Sequence, residues 1–92
     1  MNKKTIWKFP LQLTDSQQID IPMGYKILCV QAQNGQGCLW AEVMPDAQVK
    51  KATFLTLGTG HPIQHPANME YLGTYQTNGG SLVWHVYELI NP

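Results

Sequence analysis

Apolar and polar residues alternate with a period of two along most of this chain, and no window of useful length carries the 3.6-residue period of a helix. Tyr25–Gln33 (YKILCVQAQ) is the clearest such run. Alternation puts Lys26, Leu28, Val30 and Ala32 on one face, and Ile27, Cys29, Gln31 and Gln33 on the other. Asn34-Gly35 follows, a strong hairpin signal because the favoured two-residue turn needs positive φ at both central positions. Cys38–Met44 (CLWAEVM) then returns, with Leu39, Ala41 and Val43 facing opposite to Cys38, Trp40 and Glu42. A two-residue turn fixes the register: Gln33 faces Gln36 and Cys29 faces Trp40. Cys38 is then only a diagonal neighbour of Cys29, at about 7–8 Å, beyond comfortable disulfide reach. Two free thiols are expected, as in a reducing cytosol.

The same alternation predicts strands at Thr5–Phe9, Gln18–Ile21, Lys51–Leu57, Glu70–Gln76 and Ser81–Leu89. In the first, Trp7 and Phe9 share a face. In Glu70–Gln76, Tyr71, Gly73 and Tyr75 oppose Leu72 and Thr74. In the last, Leu82, Trp84 and Val86 oppose Val83, His85, Tyr87 and Leu89. Pro22-Met23-Gly24 and Asn78-Gly79-Gly80 read as turns. About seven short strands predict one antiparallel all-β domain over 1–92, either a sandwich or a small barrel.

Ninety-two residues hold one core, and a chain this short gains buried area by self-association. The 43% hydrophobic share places it among globular proteins. Six lysines balance six carboxylates and there is no arginine. A nucleic-acid binder carries basic excess and arginine forks for phosphate and guanine, so duplex nucleic acid is excluded as the expected partner. No stretch reaches the roughly 18 apolar residues of a membrane helix, so no membrane partner is expected. The N-terminus lacks the apolar run of a secretory signal, and an intracellular protein is expected.

Candidate chemistry gathers in Leu57–Pro66 (LGTGHPIQHP), which packs two glycines, two prolines and two of the three histidines into ten residues. Gly58, Thr59 and Gly60 can form a nest of backbone N–H groups for an anion, with His61 completing the charge. The plainer reading is a sharp corner that the glycines permit and Pro62 fixes. His61, His65 and His85 raise the question of a metal, but a proline-bounded loop does not align residues four apart, and no carboxylate accompanies them. No metal or other cofactor is expected. Cys29, Cys38 and Ser81 lack a base held by a carboxylate, so no enzyme is expected. Of the aromatic set Trp7, Trp40, Tyr75 and Trp84, Trp40 shares its face with Cys38 and Glu42, not with Leu39, Ala41 and Val43, and one of these two faces is expected to be the wetter. On a wetter face it suits a subunit interface or a stacking surface, while core filling is the plainer role. Gln33 and Asn34 add neutral donors and acceptors, and Lys8 and Lys26 are candidate cations.

Four blocks, TIWKFPL at 5–11, QNGxxCLWA at 33–41, GTGHPI at 58–63 and GGSLVWHVYE at 79–88, together resemble a family of small proteins of tailed bacteriophages and prophages. The resemblance spans nearly the whole chain. It carries over no activity and no functional residue. It implies a phage source and the cytoplasm of an infected bacterium. Small phage proteins without enzyme motifs often act by binding host proteins or by sequestering nucleotide immune signals. The resulting expectation is a non-catalytic, homo-oligomeric phage protein that binds a small anionic ligand of cyclic-nucleotide or ADP-ribose type. Gly58, Thr59, Gly60 and His61 would hold phosphate, Trp40 would stack, and Gln33 and Asn34 would read polar edges. The alternative is an interaction module for a host or phage protein.

Overall fold

The computed structural model describes residues 3–64 and 68–91. Seven strands account for the architecture: β1 (Thr5–Pro10), β2 (Ser16–Pro22), β3 (Lys26–Gln33), β4 (Gln36–Val43), β5 (Val49–Gly58), β6 (Asn68–Thr77) and β7 (Leu82–Asn91). They form two antiparallel sheets, ordered β1-β4-β3 and β2-β5-β7-β6. The all-β expectation holds, and of its two forms the chain adopts the sandwich. No helix among the described residues is long and apolar enough to cross a membrane.

The β3–β4 hairpin follows the register that its turn dictates. Asn34 and Gly35 have φ of 51° and 80°, Gln33 pairs with Gln36, and Cys29 pairs with Trp40. Both cysteines are free. The inner face of β4 supplies Leu39, Ala41 and Val43 to the core, beside Val30 from β3. The larger sheet answers with Ala52, Phe54, Tyr75 and Val86.

Two face assignments from simple alternation change, each for the same reason. The β3–β4 register shifts between Ile27 and Cys29, so Leu28 is an extra residue and lies exposed. The phase therefore flips: Ile27 turns inward with Val30, and Lys26 turns outward with Cys29, Gln31 and Gln33. In β6 the shift falls between Tyr71 and Gly73. Tyr71 then shares the outer face with Thr74, whose hydroxyl it meets, while Gly73 and Tyr75 face inward. Bulges bend a strand and increase its twist. The two bulged strands are also the ones that meet across the layers, where a Cβ on Gly73 would lie 2.9 Å from Val30 Cβ.

Packing is close at one end of the sandwich as well. A Cβ on Gly37 would lie 2.4 Å from Tyr75 Cζ, so only glycine lets β4 sit on that ring.

Candidate functional site

β5 stops at Gly58 because the chain turns sharply there. Gly60 takes φ of 89°, and the His61 amide donates to the Gly58 carbonyl at 3.1 Å. Gly58 leaves room for a close contact. A Cβ there would stand 3.0 Å from Cε1 and Nδ1 of His61 and 3.3 Å from Trp84 Cζ3. The missing side chain thus lets the His61 imidazole lie against the strand beside the Trp84 indole.

Three hollows meet on His61. One of about 250 Å³ is bounded by Asp15, Thr56, Leu57, Pro62 and Gln64. A second of about 230 Å³ lies among Leu13, Thr14, Asp15, Thr56 and Trp84. A third of about 300 Å³ is lined by Gly58, Thr59 and Ser81–Trp84. The Trp84 indole is fixed from the other side, its N–H donating to Thr77 Oγ1 at 3.0 Å.

Thr56 is the unusual member of this group. It is 5% exposed, and its hydroxyl is the one buried side-chain N or O atom among the described residues without a hydrogen-bond partner. Leaving a buried hydroxyl unanswered costs about 1–3 kcal/mol. The Thr56 amide donates to the Asp15 carbonyl at 3.1 Å, which holds the β1–β2 loop against the same wall. The wall therefore gathers His61, Asp15 and Thr56 around adjoining hollows, with the Thr56 hydroxyl buried behind their surface.

The backbone nest has fewer free donors than its glycines suggest. The Thr59 amide donates to Val83 O at 3.2 Å, and the His61 amide is spent within the turn. The Thr59 hydroxyl lies 2.7 Å from His85 Nε2, and Thr74 Oγ1 lies 3.1 Å from His85 Nδ1. Both imidazole nitrogens of His85 are thus occupied. His65 lies outside the described residues. No group of three His, Cys, Asp or Glu stands together among the described residues.

Of the sequence candidates, Gly58, Thr59, Gly60 and His61 come together at this corner. Asn34 reaches the same end of the sandwich, where its hairpin borders a separate hollow of about 320 Å³ shared with Leu11–Leu13, Tyr75 and Thr77. Gln33 and Trp40 do not join them. They lie on the outer face of the three-stranded sheet, where the Gln33 amide oxygen accepts from Lys8 Nζ at 2.8 Å. Trp40 sits half-buried between its cross-strand neighbours Lys8 and Cys29. Tyr75 is a core residue at 4% exposed, and burial, then the Cys38 charge, raise its hydroxyl above the usual tyrosine value.

Alternation by itself does not single out Thr56 or Asp15. The available signal is that Thr56 continues the inward series Ala52, Phe54, putting a hydroxyl where an apolar side chain is expected. Glu88 carries the same signal after Leu82, Trp84 and Val86. It is 5% exposed and accepts a hydrogen bond from the Tyr25 hydroxyl, whose pKa is raised by burial, then by Glu88 and Glu70. A hollow of about 440 Å³ opens beside this pair, yet its buried carboxylate already has a donor. That separates it from the His61 corner, where the buried hydroxyl has none.

No curated protein and no solved structure matches the chain. A family model described as a domain of unknown function, DUF7352, matches residues 2–92, and the chain belongs to that family.

Proposed function

We propose that the chain is a non-catalytic binding protein for a small nucleotide-like ligand, seated at the His61 corner. The observation that carries the reading is the unpartnered Thr56 hydroxyl, buried in a wall that it shares with His61 and Asp15. His61 and Thr56 would donate to a phosphate oxygen, and the Asp15 carboxylate would accept from sugar hydroxyls. The exposed side of Trp84 offers an aromatic surface next to them. In the phage setting that the sequence blocks imply, such a protein would sequester a nucleotide signal of host immunity.

The test is thermal stabilisation and calorimetry against ADP-ribose and cyclic mono- and dinucleotides. One of these is expected to raise Tm, and His61→Ala or Thr56→Val to weaken its binding by roughly tenfold or more, the scale of one lost hydrogen bond to a charged group. A panel that leaves Tm unmoved sinks the reading. The interaction-module reading is favoured by a different observation, the exposed Ile6 and Trp7 on an edge strand (58% and 39%).

A further inference from the structure

β1 is the outer strand of the smaller sheet, and five of its six residues are exposed. The hydrogen-bonding parity of its free edge follows from one contact. The Leu11 amide donates to the Gly37 carbonyl at 2.9 Å, which marks that pair as hydrogen-bonded. Hydrogen-bonded pairs recur every second residue in an antiparallel ladder. In the observed register Phe9, Trp7 and Thr5 therefore spend their backbone groups on Leu39, Ala41 and Val43. Ile6 and Lys8 point their N–H and C=O groups away from the sheet. Pro10 also points outward, where its missing N–H costs the ladder nothing.

We propose that this edge pairs with β1 of a second copy of the chain about a two-fold axis at Trp7, forming one continuous six-stranded sheet across the dimer. Three two-fold registers put the free amides of Ile6 and Lys8 to use. With the axis at Ile6, Lys8 lies opposite the partner's Lys4. With the axis at Lys8, the two Lys8 side chains meet. Like charges directly opposite are unfavourable. With the axis at Trp7, Lys8 lies opposite the partner's Ile6, and Lys4 lies opposite the partner's Pro10, so no like charges are directly opposed.

That register also joins the two Trp7 side chains at a non-hydrogen-bonded position, where side chains approach most closely. Trp7 and Phe9 already lie 6.2 Å apart between ring centroids within one chain. The pairing places a second such couple beside the first, on the face that β1 shares with Leu39 and Ala41. Avoidance of directly opposed like charges and aromatic burial thus select the same register. The inference stands apart from the His61 corner and survives the failure of that reading.

Sedimentation equilibrium of the full chain tests it, with two substitutions at one exposed position. Ile6→Lys sets two like-charge pairs against the partner's Lys8 and is expected to raise the dimer dissociation constant on the order of tenfold. Ile6→Glu sets two opposite-charge pairs there and is expected to keep the dimer. Within one chain the preference runs the other way, because position 6 faces Glu42 across the ladder. Misfolding would therefore penalise the wrong variant. Register is read by cross-linking: oxidised Trp7→Cys forms an intermolecular disulfide, whereas Thr5→Cys alone does not. A wild-type chain that stays monomeric at about 100 μM, far above the micromolar scale, overturns the proposal. So does a dimer that both charge variants leave unchanged.

Discussion

Thr56 combines two effects that usually oppose each other at a binding site. Its hydroxyl has no partner among the described residues, so Thr56→Val is expected to stabilise the ligand-free chain by about 1 kcal/mol, or roughly 4–8 °C in Tm. The same substitution is expected to weaken ligand binding. A gain in stability coupled to loss of binding would identify a group held for function; a loss of stability would mean that the hydroxyl has a partner in solution. Tyr25 gives a prediction in pH. Its folded pKa lies above the unfolded value, so its stabilisation is complete below about pH 10 and is lost as pH rises beyond it. Urea unfolding between pH 7 and 11 should show that decline. Tyr25→Phe should flatten it, leaving the smaller slope due to Tyr75, while costing about 1–3 kcal/mol at neutral pH because Glu88 loses its donor.

At the scale of strands and turns, legibility depended on whether a local signal was sufficient. Asn34-Gly35 forces its turn by backbone sterics alone, so the whole β3–β4 pairing near it, down to Cys29 against Trp40, can be read from residues. The bulges at Leu28 and Leu72 cannot. Nothing in YKILCVQAQ marks one leucine as extra, because the demand comes from the opposite layer, where Val30 must meet Gly73. Gly37 is similar: it reads as part of a loop until the Tyr75 ring is found against it. Gly37→Ala is expected to cost about 1–3 kcal/mol, as overpacking of a core contact does, measurable as a lower urea midpoint at unchanged slope. An unchanged midpoint would show that β4 and Tyr75 can part at little cost.

For the molecule as a whole, the candidate residues were legible as types but not as a constellation. Gly58–His61 are contiguous, so their meeting was assured. Trp40 and Gln33 are placed on a different layer by the pairing of β4 between β1 and β3, a long-range arrangement that no local pattern encodes. Asp15 and Thr56 meet His61 for the converse reason, because β2 pairs with β5 and brings the β1–β2 loop to the corner. The same topology sets the fate of the four sheet edges. β3 and β6 are the edges that carry the bulges, and β2 carries Asp20 and ends on Pro22. A bulge bends an edge strand away from a foreign partner, whereas β1, though it carries Lys8 and ends on Pro10, pairs with β4 without a register shift. Deleting Leu28 would straighten β3 and is expected to give assemblies larger than two, seen as a rise in light scattering. A deletion variant that stays at the wild-type size would assign the block to something other than the bulge. In the vocabulary of polymerisation, the proposed pairing makes β1 the reactive end of each chain, while the bulges cap β3 and β6. Such a unit would couple once and then terminate, so a protein built mainly of strands, the raw material of fibres, would stop at pairs.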